Sequence, residues 1–427
     1  MRVHGTKLGA ISTGRGLGDQ LYDLAGQVPS LDLNFAGTKT LDSRVTFTRA
    51  SSGTFTGSDG VIQTATTDVP RFDHNPTTGE SLGLLVEESR TNLLLQSNQF
   101  DATWTNTNSS ETATAGTAPD GTNTAWELKD TADAVSTAHS LVQSPSTSFT
   151  SGVAYTFSCW MKAGTLTEGG LVFPSSAFTT AINCRINLST GAVISSSATV
   201  SASTVPYANG WYRVIATATA TATATGAVNI RPGNGALSYI GTGTGTILVW
   251  GAQIEAGAFA TSYIPTTTAA VTRAADVASI TGSNFSSWYR QDEGSFLVAG
   301  AVPGDASGTF LSVDNNTADQ RWQLRRSTTA RARLRLVSTG NSIDLLSVNN
   351  VFSVGSSIKM AGSAIAGAQT IFVNGSNVVN ATATAMPTAT QFSIGSGPST
   401  DVSSQTISRL TYWPQRLSNS TLQAITQ

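Results

Sequence analysis

Apolar and polar residues alternate with a period of two through most of the chain, from about residue 92 to 272 and again from about 277 to 427. In the segment 155–162, YTFSCWMK, the odd positions form one apolar face and the even positions form the opposite face. Turn residues interrupt the alternation about every ten positions, as in sandwiches and barrels. Because side chains on a strand point alternately to the two faces of a sheet, the pattern predicts strands. The fold class is therefore predicted to be all-β, with tandem β-sandwich or jelly-roll domains and an extended N-terminal arm.

Three local signals refine this prediction. The Ala-Thr run 216–225 is predicted to be one long strand, because a β-branched residue at every second position opposes a helix. The pair Asn374-Gly375 between two apolar runs predicts a tight hairpin turn. Ser418 is suitably placed to cap a short helix near the end of the sequence.

Composition narrows the classes of partner. Only 12% of the 427 residues are charged and the formal net charge is -2, so the chain lacks the broad basic field of proteins that bind nucleic acids or anionic membranes. No apolar run approaches the roughly 20 residues that cross a bilayer, and the first residues lack the apolar core of a signal peptide. We therefore expect synthesis in a cytoplasm, no membrane insertion and no nucleic-acid partner. Cys159 and Cys184 lie within apolar alternation and are predicted to be buried free thiols, with a disulfide between them as the alternative.

The chain divides into four predicted regions: an anchoring arm (1–30), a β module (31–91), a jelly roll (92–272) and a second β-sandwich (273–427). The arm is too short to bury a core of its own, so it is predicted to dock onto a partner, with a disordered tail as the alternative. The candidate anchoring residues of the arm are apolar or aromatic: Leu17, Leu21, Tyr22 and Leu24.

Four phrases occur in order in the β module and just after it: Phe47–Ser51 (FTRAS), Val69–Asp73 (VPRFD), Gly83–Glu88 (GLLVEE) and Arg90–Leu94 (RTNLL). Together they resemble a module near the N-terminus of bacteriophage head-spike, head-fibre and tail-fibre-like proteins. The resemblance implies a virion component, made in the cytoplasm of a host bacterium, that is held by a capsid or tail adaptor protein. It also implies a homotrimer.

Two further resemblances concern the sandwiches. The phrases at 92–98 and 248–265 look like the opening and closing strands of a carbohydrate-binding-module-type jelly roll, which implies that fold and a tendency to contact glycans. The segment 407–422 is similar to the closing strand and short helix of concanavalin-A-like and laminin-G-like sandwiches. Many unrelated functions use such sandwiches, so this second resemblance implies a fold more than an activity.

The residue patterns needed for catalysis do not occur. Glu87 and Glu88 are adjacent, so on a strand they point to opposite faces and cannot both flank one glycosidic bond; we interpret them as surface and turn carboxylates. The three histidines, His4, His74 and His139, occur without the Gly-x-Ser-x-Gly phrase of serine hydrolases. We therefore predict a protein that is not an enzyme.

Metal-binding signals are equally weak. The histidines and cysteines lack the spacing of a metal site. The segment 314–319, with Asp314, Asn315, Asn316 and Asp319, supplies oxygen ligands suited to calcium, but an ordinary polar loop is the preferred interpretation. No metal and no cofactor is predicted.

Binding is the function that the residues favour. Sugar rings stack on exposed aromatic side chains, and arginines on one face of a strand suit an acidic glycan or a neighbouring subunit, with an ordinary charged edge as the alternative. The candidate glycan-binding residues are Trp104, Tyr207, Trp288, Tyr289, Arg331, Arg333 and Arg335, whereas Trp211 and Trp250 are assigned to the core.

The sequence thus predicts a phage virion structural protein, a head spike, head fibre or tail fibre, that displays β-sandwiches to host surface glycans. The first alternative is a capsid decoration or cement protein that stabilises the shell without binding glycans. The second alternative is a glycan-degrading tailspike. A secreted cellular lectin is a weaker third alternative.

Overall fold

The computed structural model describes residues 21, 25–301, 307–327, 331–346, 355–398 and 402–427. Strands of antiparallel sheets make up about half of these residues and helices very few, which confirms the predicted all-β fold class. In this part of the chain, no helix is long and apolar enough to span a bilayer. Three of the candidate anchoring residues, Leu17, Tyr22 and Leu24, lie outside the described residues.

Residues 31–92 form short strands and one short helix, α1 (Phe35–Thr38). The strands are β1 (Leu31–Leu33), β2 (Thr46–Thr48), β3 (Gly53–Thr56), β4 (Ile62–Ala65), β5 (Arg71–His74), β6 (Ser81–Val86) and β7 (Arg90–Asn92). Of these, β3 and β4 pair with each other as a hairpin, and β5 pairs with β6. The strands β1, β2, β6 and β7 pair with strands from the part of the chain after residue 270.

The jelly roll consists of two six-stranded sheets, β17-β18-β13-β21-β10-β9 and β16-β15-β14-β19-β12-β8, with a small β11-β20 pair at one end. A 3-10 helix (Ala208–Gly210) connects β17 to β18. The strands are β8 (Thr105–Thr107), β9 (Ser109–Gly116), β10 (Ala125–Asp130), β11 (Thr137–Ala138), β12 (Ser140–Gln143), β13 (Ala154–Ala163), β14 (Glu168–Phe173), β15 (Ile182–Asn187), β16 (Val193–Ser196), β17 (Ser201–Pro206), β18 (Trp211–Thr219), β19 (Val228–Gly233), β20 (Ser238–Tyr239) and β21 (Thr246–Ala256).

Among the described residues, twelve strands follow the jelly roll, and all but the first belong to the second sandwich, together with helices α2 (Gly282–Ser286) and α3 (Asn419–Thr426). They are β22 (Val271–Arg273), β23 (Val277–Thr281), β24 (Glu293–Ala301), β25 (Gly308–Asp314), β26 (Arg321–Ser327), β27 (Arg331–Ser338), β28 (Asn341–Leu346), β29 (Ser357–Ile365), β30 (Ala368–Val373), β31 (Ser376–Ala381), β32 (Gln391–Ile394) and β33 (Gln405–Trp413). One sheet has the order β31-β30-β29-β24-β33-β6-β5, with β1 also paired to β33, and the other has the order β2-β23-β32-β25-β26-β27-β28.

The second sandwich is therefore discontinuous in sequence, because segment 31–86 supplies strands to both of its sheets. Leu31 lies opposite Tyr412 and Leu84 opposite Ile407 in one sheet, and Phe47 lies opposite Ala278 in the other. Leu33, Leu84 and Val86 are buried in the same core as Phe296 and Trp322. The jelly roll is an insertion between the two parts of this sandwich, and the β7–β22 pair holds its two ends together.

One glycine permits this close pairing. Gly83 has φ +93°, and a Cβ atom there would lie 2.2 Å from the Ile407 carbonyl oxygen. Only glycine adopts this conformation without strain and leaves room for β33. Gly83 pairs with Asp73 on its other side, where the ladder is irregular.

The predicted faces of the jelly roll are found in the structure. The side chains of Phe157, Cys159 and Met161 on β13 lie in the core between the two sheets. Cys159 and Cys184 are both buried and free, which confirms the predicted thiols. Burial raises the pKa of the Cys159 thiol to about 12 and that of Cys184 to about 11, so neither is a reactive thiolate at neutral pH.

The local predictions have mixed outcomes. Asn374-Gly375 connects β30 and β31 with positive φ at both residues, and Ser418 caps α3 by accepting a hydrogen bond from the Thr421 amide (3.1 Å). Both predictions are confirmed. The prediction that the run 216–225 is one strand is wrong: β18 ends at Thr219, because its partner β13 begins at Ala154, directly opposite.

The described end of the arm packs on the molecule itself. Ala25 and the partly buried Leu21 contact the apolar cluster between α3 and the outer face of the β24–β33 sheet. The Trp413 indole Nε1 donates a hydrogen bond to the Gln27 carbonyl (3.1 Å). Leu21, predicted as an anchoring residue, thus contributes to an intramolecular contact.

Candidate functional site

Five charged side chains from separate parts of the chain meet in the interior, where the jelly roll joins the second sandwich. Arg49 follows β2, Arg71 begins β5 and Glu87 follows β6. Arg273 is the last residue of β22, and Asp276 directly precedes β23. Each is at most 3% exposed. We call these five residues the joint cluster.

Ion pairs connect all members of the joint cluster. The Arg71 guanidinium lies 2.7 Å from Glu87 Oε2 and 2.5 Å from Asp276 Oδ2. Arg49 Nη1 lies 3.1 Å from Asp276 Oδ1, and Arg273 Nε lies 3.4 Å from Glu87 Oε2. Because removal of one partner leaves buried charges uncompensated, these residues depend strongly on each other.

Glu87 also ties the jelly roll to this cluster. Its carboxylate accepts hydrogen bonds from the Ser262 amide (2.7 Å) and hydroxyl (2.6 Å). Burial alone would raise the pKa of Glu87, but Arg273, Arg71 and the Ser262 hydrogen bonds lower it to about 2. With both oxygens occupied by protein groups, this carboxylate is a structural anion rather than a group available to a substrate.

The structure corrects the interpretation of Glu87 as a surface or turn carboxylate. The side chain is buried because β6 runs between β33 and β5 and directs the residue after its end into the joint. Glu88 points the other way and pairs with Arg90, as expected for adjacent residues on an extended chain.

A cleft of about 600 Å³ opens beside the joint cluster. One wall is the outer face of the jelly roll at its β17–β18 edge, and the opposite wall comes from β3, β5 and β6. The loop 258–263 lines it as well, as do Ala301 and residues 404–406 of the second sandwich. The cleft therefore exists only where the two sandwiches meet.

Tyr207 contributes a half-buried aromatic ring to the cleft. It lies in the tight β17–β18 connection, where its amide donates to the Trp211 carbonyl (2.8 Å) and Asn209 adopts φ 60°. Its ring meets the edge of buried Trp160 at 5.6 Å, and the Arg213 guanidinium lies 4.5 Å from the Trp160 ring centre. These contacts fix the orientation of Tyr207 at the cleft wall.

Hydroxyl side chains line the same wall. Ser201 and Ser203 of β17 are exposed and Thr217 of β18 is half-buried, and all three line the cleft. Ser201 pairs with Thr217 and Ser203 with Ile215, so the four side chains share the outer face of the sheet. The wall thus combines aromatic, aliphatic and hydroxyl groups.

Asp73 faces this wall from β5 and is half-buried. Its Oδ1 accepts a hydrogen bond from the Thr56 amide (2.7 Å). Burial raises the pKa of Asp73 to about 6, helped by the charge of Glu87 and opposed by the Thr56 hydrogen bond and Arg71. Asp73 is therefore a carboxylate at pH 7 that protonates readily in mild acid.

Of the predicted glycan-binding aromatics, Tyr207 lies in the cleft and the other three do not. Trp104, Trp288 and Tyr289 are at most 8% exposed, which corrects the expectation of exposed rings. The Trp104 ring packs 5.1 Å from Phe100, and Trp288 and Tyr289 pack around Tyr412 in the second core. Trp211 and Trp250 are buried, as assigned.

The predicted arginine row is present on β27. Ala332, Leu334 and Leu336 face the core, and Arg331, Arg333 and Arg335 lie on the opposite, partly exposed face. Arg333 and Arg335 both pair with Asp344 on the neighbouring strand β28. None of the three arginines lines the cleft.

The segment suggested for calcium is a self-satisfied polar loop. Asp314 accepts hydrogen bonds from the Ser312 hydroxyl, the Asn316 amide and the Gln391 side chain, and Asn315 accepts from Thr317. Among the described residues, no group of three or more His, Cys, Asp or Glu side chains is arranged to hold a metal ion.

The sequence analysis did not select Asp73, Ser201, Ser203 or Arg213 as site residues. Asp73 stands two positions after Arg71 in the phrase VPRFD, which was the available signal. Asp73 lies near β17 and β18, more than 120 residues later, because the two domains pack against each other. Hydrophobic periodicity predicts strands but not which domains pack together, so this contact could not be predicted.

No protein-family model matches the chain, and no curated protein matches it significantly. Among solved structures, the carbohydrate-binding module CBM40 of a Ruminococcus gnavus IT-sialidase, bound to α2,3-sialyllactose, superposes with a TM-score of 0.31 and 16% identity, over 34% of this chain and 88% of that one. The NanB sialidase of Streptococcus pneumoniae gives 0.31 and 10% (35% and 26% covered), and the receptor-binding domain of botulinum neurotoxin type G gives 0.28 and 14% (35% and 39% covered). These are partial similarities between β-sandwich proteins, and the function proposed next rests on the chain's own residues.

Proposed function

We propose that this chain is a glycan-binding structural protein of a bacteriophage particle and that the cleft beside Tyr207 holds part of a saccharide. The observation that carries glycan binding is the cleft wall, which places an oriented aromatic ring next to a row of hydroxyl groups. Its function is adhesion rather than turnover, since both oxygens of Glu87, the other acidic side chain in the cleft lining, are occupied by protein groups.

Saccharides match this lining chemically. A sugar ring has apolar C–H faces that pack on aromatic and aliphatic side chains, and its hydroxyls exchange hydrogen bonds with polar groups. The cleft volume of about 600 Å³ falls within the roughly 300–1,000 Å³ typical of pockets for small ligands.

The particle context is supported by the four phrases shared in form with phage virion proteins. Arg49, Arg71 and Glu87 belong to three of these phrases, and all three side chains are in the joint cluster. A cluster that fixes the jelly roll to the second sandwich suits a protein that must present a binding face at a constant angle. In this proposal the N-terminal region attaches to a capsid or tail adaptor protein, the sandwiches point to the host surface, and the chain assembles as a homotrimer in the virion.

A cleft-blocking variant tests the binding site. Ser203→Trp places a large ring in the cleft at an exposed strand position, and Ser195→Trp makes the same change at an exposed position of β16, on the opposite sheet of the jelly roll. On a glycan array, full-length wild type and Ser195→Trp are expected to bind the same glycans, whereas Ser203→Trp loses the signal.

Other results would replace the proposal. Equal binding by Ser203→Trp would move the glycan site away from the cleft. A blank array for the wild type, with many copies found across the phage head, would favour the decoration alternative. New reducing ends released from host polysaccharide would favour the tailspike alternative.

A further inference from the structure

We infer that the cleft selects an uncharged saccharide and that Asp73 makes this selection by accepting hydrogen bonds from the sugar hydroxyls. This inference rests on the proposed function, because it assigns a ligand class to the same cleft. It identifies Asp73 as the residue that determines specificity. The aromatic ring of Tyr207 packs on the C–H face of a neutral or an acidic sugar alike and does not distinguish them.

The geometry of Asp73 suits an acceptor that is fixed but not saturated. The Thr56 amide donates to Oδ1, which orients the carboxylate from the neighbouring hairpin strand β3. An ionised carboxylate has about four acceptor positions, so the backbone hydrogen bonds from Thr56 and His74 leave about two of them for a ligand. Two adjacent sugar hydroxyls can donate to one carboxylate, as can any pair of donors at that spacing.

The other carboxylates around the cleft are already saturated. Glu87 binds Arg71, Arg273 and Ser262. Glu255 accepts from the Gln253 side chain and from the Thr261 amide and hydroxyl. In the described part of the chain, no lysine or arginine side-chain nitrogen lies within 4.0 Å of the Asp73 carboxylate oxygens, so this carboxylate differs from Glu87 in having no ion-pair partner.

The cations near the cleft bind protein acceptors, although the buried Nε atom of Arg213 has no hydrogen-bond partner among the described residues. Arg71 binds Glu87 and Asp276, and Arg213 donates to the Thr261 carbonyl (2.8 Å) and the Ser158 hydroxyl (3.0 Å). A ligand carboxylate placed here would approach the charge of Asp73. Within the described ranges Arg213 has no carboxylate partner, but it is 7% exposed and lies against the Trp160 ring, so it offers little compensation. Like charges in a poorly solvated site repel, so an acidic sugar is disfavoured relative to its neutral counterpart.

Matched pairs of oligosaccharides test this selection. Galactose, glucose and mannose oligomers are compared with galacturonate, glucuronate and mannuronate oligomers of the same length, by titration calorimetry with the full-length protein at pH 7.5. We expect the neutral member of the bound pair to bind at least about tenfold more tightly, the factor that corresponds to about 1.4 kcal/mol.

Asp73→Asn separates charge from shape. The amide oxygen can still accept from the Thr56 amide, and the side chain keeps its size, so folding is preserved and is checked by thermal melting. Hydrogen bonds to charged groups exceed those to neutral groups by about 1 kcal/mol, so the neutral sugar should bind roughly fivefold more weakly. The acidic partner should bind more tightly than it does to the wild type, a change of selectivity that a loss of stability cannot produce.

A pH series provides a second measurement. Glu87, Arg71, His74, Tyr207 and Arg213 face Asp73 or line the cleft with it. The pKa of Glu87 is lowered to about 2, and burial raises that of Tyr207 above its usual value, so neither changes charge between pH 5 and 7. Wild-type affinity for the neutral sugar should fall as the pH drops through about 6, and Asp73→Asn should remove this fall.

The outcomes separate the inference from the proposal beneath it. Preferential binding of uronate oligomers, or unchanged selectivity and pH dependence in Asp73→Asn, would overturn the role of Asp73 while leaving glycan binding intact. Absence of binding to every oligosaccharide and to the glycan array would overturn both.

Discussion

The two sandwiches achieve similar two-sheet cores in different ways. The jelly roll takes all its strands from one continuous segment, β8 to β21, and its core is closed by neighbours in sequence. The second sandwich depends on β1, β2, β5 and β6, which precede the jelly roll, and on β33, near residue 410. Buried ion pairs concentrate where the discontinuous sandwich meets the jelly roll. A continuous segment can therefore form its core alone, whereas the discontinuous sandwich needs specific contacts to bring distant segments into register.

The largest expected effect follows from separating the two sandwiches. A fragment of residues 90–273 keeps every strand of the jelly roll and the β7–β22 pair, so it should be soluble and unfold cooperatively. A fragment of residues 274–427 lacks four strands of its sandwich and should remain unfolded. Circular dichroism and urea titration of both fragments measure this difference.

Adding back the missing strands is the control for this prediction. Segment 25–89, supplied as a separate chain, should restore folded signal to the 274–427 fragment. A cooperative unfolding transition for the 274–427 fragment without that segment would show that the sandwich does not need the early strands to fold.

Breaking the joint cluster should have the next largest effect. Asp276→Ala leaves Arg49 and Arg71 buried with one partner fewer, and loss of one member of a buried ion pair typically costs about 3–5 kcal/mol in the free energy of unfolding. Asp292→Ala removes an exposed partner of Arg290 and should leave the urea midpoint near that of the wild type. Equal midpoints for the two variants would contradict the structural role of the cluster.

Asp73→Asn should have a smaller effect of the opposite sign. Because the folded protein raises the pKa of Asp73 from 3.8 to about 6, ionisation above pH 6 disfavours folding, and this penalty disappears as the pH falls toward 4. Since Asp73 is half-buried, we expect the variant to be about 1–2 kcal/mol more stable than the wild type at pH 7.5. Urea titrations at pH 7.5 and pH 4.5 should show the full gain at the first pH and roughly a third of it at the second. A less stable variant at pH 7.5 would mean that the charge supports the fold.

Local periodicity was sufficient to predict the fold class, the faces of β13, the Asn374-Gly375 turn and the Ser418 cap. It was insufficient wherever burial depends on a distant segment. Trp288 follows α2 among polar residues and was therefore predicted to be exposed. It is buried, because the Ser30 hydroxyl donates a hydrogen bond to its carbonyl (2.9 Å) and Tyr412 packs on its ring. Glu87 was assigned to the surface for the same reason, since its partners Arg273 and Ser262 come from about 180 residues later. The cleft could not be predicted, because its walls belong to different sandwiches.

The pairing of β6 with β33 has a consequence for how the protein is made. Val86 leaves the ribosome about 320 residues before Gln405, the strand partner opposite it. At roughly 5–20 residues per second, β1 and β6 wait on the order of 15–60 s for that partner. During this interval the jelly roll can fold, but the apolar side chains of Leu31, Leu33, Leu84 and Val86 remain exposed because β33 has not yet been synthesised. We therefore expect segment 31–86 of the nascent chain to be the part most prone to aggregation, and ribosome-associated chaperones to bind there.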